Sequence, residues 1–268
     1  MLNDFTPVLW HFEGNEDITL WLIGDVHIGA RECDEKRFKR DIDAIAADPN
    51  ARVVLLGDLI NNATKSSVSN VYEERYNPSE AKMIAAKMLE PIRDKILAGV
   101  GGNHEYRSSK EVDDDPAYDI MCKLNLSELY RQNGAFVKIM IGVTNGAGLK
   151  NPTYTIYATH GAGAGTTPGA GANRMQRTQA IFEGIDLFVQ GHVHKAMNFY
   201  PERIRFDTHN NKVQRRTIAC CIAPSYLEYG GYAMRASLPP FANVTSTITL
   251  CGNKKRIIAH QTADLNCR

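Results

Sequence analysis

Apolar residues recur along the chain in short runs of five or six, separated by stretches in which they return every three or four positions. Ile18-Thr-Leu-Trp-Leu-Ile23 is such a run, and it predicts a buried strand. The same reading predicts strands over 52–56, Ile96–Val100, 136–141, 154–158 and 186–189, with the 136–141 and 154–158 segments pairing. Helical spacing predicts helices over 34–47, from Ser79 through Ile84, Met88, Leu89 and Ile92, and over 118–131. From Ala196 onward the pattern alternates as β-structure does. Strands interleaved with helices predict a layered α/β fold. No repeat or linker divides the 268 residues, so one domain over 1–268 is expected. The small-residue stretch from Gly161 to Ala172 reads as a tight loop bordering a ligand, where glycine lets backbone approach closely.

Composition narrows the picture mainly by exclusion. The chain is 43% hydrophobic and 23% charged, which is ordinary for a globular protein and argues against collagen-like, coiled-coil or disordered classes. Its 31 Lys and Arg nearly balance 30 Asp and Glu, so no strongly basic surplus advertises nucleic acid. Six cysteines form no Cys-x-x-Cys pair, and the N-terminus lacks the basic start and apolar run of a signal peptide. The apolar runs fall far short of the ~20 residues that span a bilayer. A reduced cytoplasmic protein with no membrane partner is the expectation.

Five short motifs carry the chemistry, each just past an apolar run: Asp25-Val26-His27, Gly57-Asp58, Gly102-Asn103-His104-Glu105, His160 and Gly191-His192-Val193-His194. Ligands of open α/β sheets bind at the carboxyl ends of strands, so these motifs should meet in one cleft. Singly each is weak, because an Asp-x-His is usually surface polarity and a Gly-Asp usually a turn. Five in this order are strong. Carboxylate, amide and imidazole groups together suit divalent transition metals. So many donors in one cluster point to two ions, with a carboxylate such as Asp58 bridging them. No cysteine takes part, against a structural zinc finger.

These motifs resemble, in every signature block, the calcineurin-like metallophosphoesterases. The resemblance implies a two-sheet β-sandwich flanked by helices in α/β/β/α layers, with a dinuclear centre at one edge. Asp25, His27, Asp58 and His194 would hold one metal, and Asp58, Asn103, His160 and His192 the other. Mn is the expected metal, with Fe or Zn as alternatives. His104 would stand beside them as proton donor or transition-state stabiliser. The implied reaction is metal-assisted hydrolysis of a phosphate ester, in which the metals lower the pKa of the attacking water and neutralise developing charge.

Departures from the family's branches bear on substrate. Ser/Thr protein phosphatases carry Gly-Asp-x-x-Asp-Arg-Gly, where this chain reads Gly57-Asp-Leu-Ile-Asn-Asn62. Asn61 thus replaces the Asp that orients the catalytic His, and its amide is expected to accept that bond instead. Gly101 stands where those enzymes carry Arg before Gly-Asn-His-Glu. Asp25-Val-His-Ile-Gly29 resembles the form seen in DNA repair nucleases, and His160-Gly-Ala-Gly-Ala-Gly resembles phage- and prophage-encoded members. The expected function is phosphodiester hydrolysis, with DNA as a candidate substrate. A phosphomonoesterase is the alternative, and a non-catalytic scaffold is disfavoured because all seven ligand positions are filled. Arg107, Arg174 and Arg177 lie near motif loops and are candidates for phosphate contact, Arg107 first, or are solvated surface residues. Tyr226, Tyr229 and Tyr232 read as packing ahead of base stacking.

Overall fold

The computed structural model describes residues 4–67, 70–143, 151–163, 165, 167–242 and 244–263; of Tyr232 only the backbone is described. Two six-stranded sheets form its centre. One contains β2 (Ile18–Ile23), β3 (Ala51–Leu55), β4 (Ile96–Val100) and β5 (Tyr130–Arg131), all parallel, with β13 (Val244–Leu250) and β14 (Ile257–Ala263) antiparallel at the β2 edge. The other runs β1 (Val8–Phe12), β6 (Ala135–Ile141), β7 (Thr153–Thr159), β8 (Leu187–Gln190), β12 (Ala219–Ile222), β9 (Met197–Phe199). A separate hairpin pairs β10 (Glu202–Asp207) with β11 (Lys212–Thr217).

The sheets face each other across a dry core: Leu20, Leu22, Val54 and Leu56 from the first meet Val137, Ile139, Ile156, Leu187 and Val189 from the second. Complete burial of each such side chain contributes about 1.5–3 kcal/mol. The outer face of the first sheet lies under α1 (Glu35–Ala47), α2 (Pro78–Leu89) and α4 (Pro116–Lys123), which bury Phe38, Ile42, Leu89 and Ile120 against it. The second sheet is covered by α5 (Pro168–Ile181) through Met175. The layers are therefore α/β/β/α, as the resemblance implies. No helix among the described residues is long and apolar enough to cross a membrane.

Local signals explain where elements begin. Asp34 caps α1 by accepting from the backbone N–H of Arg37 at 2.9 Å. Asn77 and Glu80 form a reciprocal capping box at the start of α2, with Pro78 in the first turn. That helix ends at Leu89, so the Ile92 assigned to its apolar stripe belongs to the following 3-10 turn Glu90–Lys95.

Three expectations need correction. The helix over 118–131 is only α4. Asn125 takes a left-handed backbone (φ 57°) that breaks it, a 3-10 turn Ser127–Leu129 follows, and Tyr130–Arg131 pairs as β5 with Gly99 and Val100. The Gly/Ala stretch is a loop only in its first part. Thr167 caps α5, and Pro168 to Ala172 lie in that helix despite two glycines within its first turns. Residues 164 and 166 lie outside the described residues. Among the strands expected after 196, the short helix α6 (Gly231–Arg235) intervenes. Two elements escaped the pattern altogether: β1, whose edge position leaves alternate residues exposed, and α3 (Asn103–Val112), whose polar sequence lacks an apolar stripe.

Candidate metal centre

Each motif leaves the carboxyl end of a strand. Asp25 and His27 follow β2, Asp58 follows β3, Asn103 and His104 follow β4, His160 follows β7, and His192 and His194 follow β8. Parallel pairing sets these ends level: Ile23 lies opposite Leu55, and Thr159 opposite Gln190. The two sheets are then joined across the sandwich edge. The ring Nδ1 of His160 reaches the carbonyl of Leu56 at 2.7 Å, and the backbone N–H of His192 donates to Asp25 Oδ2 at 2.8 Å.

The loops turn sharply to bring their side chains together. Asp25, His27, Asp58, His192 and His194 all have left-handed backbones, with φ between 50° and 68°. Such angles cost a non-glycine residue on the order of 1–2 kcal/mol each, and strain of this kind gathers at functional sites because surrounding contacts enforce it. Here the contacts are visible. Backbone N–H groups of Asp25, His27 and Ile28 donate to the carbonyls of Gly57, Asp58 and Leu59, each at 3.0 Å. Behind them, Ser225 Oγ and the Tyr226 N–H both donate to the Asp25 carbonyl at 3.0 Å. Gly57 has no alternative residue: its φ is 78°, and a β-carbon there would come within 2.5 Å of the Gly102 nitrogen.

Potential ligand atoms fall into three overlapping groups, each within 4.8 Å: Asp25, His27 and His194; Asp58, His160 and His192; and His27, Asp58 and His104. Asn103 joins the second, its Oδ1 lying 2.8 Å from His160 Nε2 and 2.7 Å from His192 Nδ1. All seven expected ligands are thus together, and Asp58 lies between the two sets, 3.3 Å from His160 and 3.9 Å from His27.

The donor set fits cations. The outer nitrogens of His160 and His192 are taken by the Leu56 and Gly163 carbonyls, at 2.7 and 2.8 Å, which turns their other nitrogens inward as lone pairs. Oδ1 of Asp25, wholly buried and without a hydrogen bond of good geometry, faces His194 Nε2 at 3.1 Å. Nitrogens face nitrogens at 3.2 Å, between His27 and His194 and between His160 and His192. Burial, together with neighbouring imidazoles, lowers His27 and His192 and keeps those rings neutral. Burial works against charge on Asp58, yet the rings of His104, His160 and His27 hold it well below the ordinary carboxylate range. Burial also opposes charge on His160, but Asp58 carries it up to about 10, so without a cation its inward nitrogen holds a proton that a bound cation would displace to use the lone pair. Positive charge is what this cluster draws in.

His104 is adjacent but differently held. Its Nδ1 bonds the backbone carbonyl of Asn61 at 2.7 Å, and its Nε2 accepts from Arg107 Nη2 at 3.0 Å. The Asn61 side chain plays no part: its Nδ2 donates to Glu74 at 2.5 Å. The expected amide–imidazole bond is therefore corrected to a bond from the ring to the main chain, which any residue at 61 can accept. Arg107 also donates to the Asn61 carbonyl at 3.1 Å, so it lies against His104 within the site. Arg174 and Arg177 are exposed on α5. Tyr226 is packing: its ring is buried beneath the Arg37 guanidinium, 4.5 Å from the ring centre, and its hydroxyl donates to Asp41. Tyr229 is exposed.

Glu105 is the residue whose role the motif did not disclose. Wholly buried, it accepts from the backbone N–H groups of Asp58, Leu59, Ile60 and Gly102 at 2.7–3.2 Å, pinning the Asp58 loop to the start of α3. Burial, with Asp58 beside it, pushes its carboxyl up to about 8. Its signal in the sequence is an acid three residues beyond a glycine at a strand-to-helix turn, the spacing of a helix cap.

Comparison with known proteins bears on this arrangement. No curated protein matches the chain. A solved structure from Streptococcus pneumoniae TIGR4, a conserved uncharacterized protein described as a predicted phosphoesterase, covers 92% of this chain and 98% of its own at 11% identity, with a TM-score of 0.38. The family model for calcineurin-like phosphoesterase matches residues 18–196, the span from β2 to just past His194. Matched over more than half its length, through every motif gathered at the strand ends, the chain belongs to the calcineurin-like phosphoesterases, metal-dependent hydrolases of phosphate esters.

Proposed function

We propose that the protein hydrolyses phosphodiesters, DNA among them, with two divalent transition-metal ions, Mn first and Fe or Zn as alternatives. The observation that carries the two-ion reading is the position of Asp58 between two groups of candidate ligands. Asp25, His27, Asp58 and His194 would hold one ion; Asp58, Asn103, His160 and His192 the other. When bound, such ions lower the pKa of water toward about 7 and offset charge on phosphoryl oxygens.

The chain's own residues supply the rest. Arg107, whose fork suits phosphate oxygens, turns from His104 to the substrate. That frees Nε2 of His104 to face the leaving oxygen, while the Asn61 carbonyl holds Nδ1 and fixes the ring. Asn61 in place of Asp and Gly101 in place of Arg support a diester over the phosphoprotein substrates of the Ser/Thr branch. The described cysteines are free, and Cys33, Cys220 and Cys221 are buried thiols, which supports a reducing cytoplasm.

Hydrolysis of bis-p-nitrophenyl phosphate, p-nitrophenyl phosphate, cyclic nucleotides and single- and double-stranded DNA with Mn²⁺ tests this reading. Turnover of diesters that is abolished by chelation is expected, and a His104→Gln variant should keep its metal while losing about 10²–10⁴-fold in kcat. Robust turnover of monoesters with none of any diester would overturn the substrate reading. Full activity in excess EDTA would overturn the metal one.

A further inference from the structure

A cleft of about 190 Å³ opens beside the Asn103 and His160 side of the cluster. Its walls include Gly101 at the end of β4, Tyr106 on α3, Tyr130 and Gln132 around β5, and Thr159 and His160 at the end of β7. Glycine keeps its floor open, because a β-carbon at Gly101 would lie 2.8 Å from the Tyr130 hydroxyl and 3.0 Å from the Gln132 carbonyl.

No Lys or Arg lines this space. Its two carboxylates are already engaged: Glu105 by four backbone N–H groups, and Asp115 by the Tyr130 hydroxyl at 2.8 Å and the Tyr118 N–H at 3.1 Å. A second phosphate entering here would meet acids and no cation. An uncharged group meets aromatic and amide surface instead. The volume is below the roughly 300–1,000 Å³ of pockets that enclose a whole drug-sized ligand, so it admits one ring system. Tyr106, 56% exposed at the rim, offers a large apolar face to solvent that packing does not use.

We propose that this cleft is a subsite for one uncharged planar ring of the substrate, a nucleobase or aryl group, seated against Tyr106 while the attached phosphoryl group lies at the Asp58 cluster. This rests on the phosphoesterase site described above and names the organic group that the site selects.

The test is competitive inhibition by thymidine 5′-monophosphate and by methyl phosphate, which share the phosphate monoester and differ in the deoxyribose and base, the contribution of the ring being isolated by Tyr106→Ala. The reporter is bis-p-nitrophenyl phosphate, or p-nitrophenyl phosphate if monoesters alone are turned over. The reporter that works therefore judges the diester reading separately from the subsite. The nucleotide should inhibit at least about tenfold more tightly than methyl phosphate, in line with stacking of a base on an aromatic side chain. Tyr106→Ala should bring that ratio close to one, and Tyr106→Phe should keep it. Equal inhibition by the two phosphates in the unmodified protein, or a ratio unchanged in Tyr106→Ala, would overturn the proposal.

Discussion

The two halves of the metal centre are built to different standards of enclosure. Asp25 and His27 are buried to 0% and 1% exposure, on loops zipped to the Asp58 turn and backed by Ser225 and Tyr226. Across Asp58, Asn103 is exposed at the first turn of α3, and His192 is half-buried with its outer nitrogen on the Gly163 carbonyl. The ring-sized cleft opens on this second side. Asp25 and His27 are thus held by the folded core, and Asn103 and His192 by a helix end and a glycine loop beside open space; His160, buried on the Leu56 carbonyl, and His194, partly exposed, run against this contrast. An enclosed pair of donors would suit a fixed position for a cation, and an open pair would suit the approach of substrate.

Asp58 belongs to both halves, so Asp58→Asn should abolish the distinction and have the largest effect. Activity should fall about a thousandfold or more, beyond the roughly 10²–10³ that loss of a single stabilising group costs, and metal analysis should show both ions depleted. Retention of one full equivalent would break the shared-ligand reading. The halves can next be compared directly. Asp25→Ala should both empty its ion site and lower Tm, because its carboxylate also accepts the His192 N–H that joins the sheets. Asn103→Ala should weaken one ion, by at least the 10–100-fold that loss of a supporting hydrogen bond already costs, with Tm in chelator little changed. Equal loss of Tm in the two variants would remove the contrast in enclosure.

A smaller effect is expected at Asn61. Because the ring of His104 rests on its carbonyl and not on its amide, Asn61→Ala should alter kcat only a few-fold, against the far greater loss in His104→Gln. A loss comparable to that of His104→Gln would restore the amide to a catalytic part. The smallest effect lies at the opposite end of the second sheet. Burial would push the carboxyl of Asp186 up, but bonds from Lys255, Arg216 and the Thr155 backbone hold it below the ordinary carboxylate range. With its folded pKa depressed, its stabilisation is complete above the unfolded value near about 4 and is lost as pH falls through the folded one. Asp186→Asn should therefore be less stable than the unmodified protein at neutral pH and converge with it in acid, as denaturant unfolding at several pH values would reveal.

How much of this could be read from the chain depended on whether the cause was local. The strands β2, β3 and β4 are short apolar runs buried on both faces, and the motif residues just beyond them needed no tertiary information to be noticed. The cap of α1 at Asp34 is a contact three residues long. By contrast, residues 130–131 read in the sequence as the end of a helix, because Tyr130 and Arg131 become strand only by pairing with Gly99 and Val100. Likewise α3 has no apolar stripe to announce it; what organises its first turn is Glu105 reaching the N–H groups of the Asp58 loop, 45 to 47 residues away in sequence.

The layered fold class and the family follow from the sequence alone, as do the motifs whose seven candidate ligand residues meet in one cluster, because strand-end motifs are short, ordered and chemically specific. The tertiary structure decided the partners. Which nitrogen of His160 and of His192 turns inward depends on the carbonyls of Leu56 and Gly163, brought there by the tertiary fold. That His104 rests on main chain, that Arg107 shares it, and that a cationless cleft adjoins Asn103 depend equally on distances between residues remote in sequence. Hydrogen bonds act over about 3 Å, and residue order alone does not set which atoms come that close.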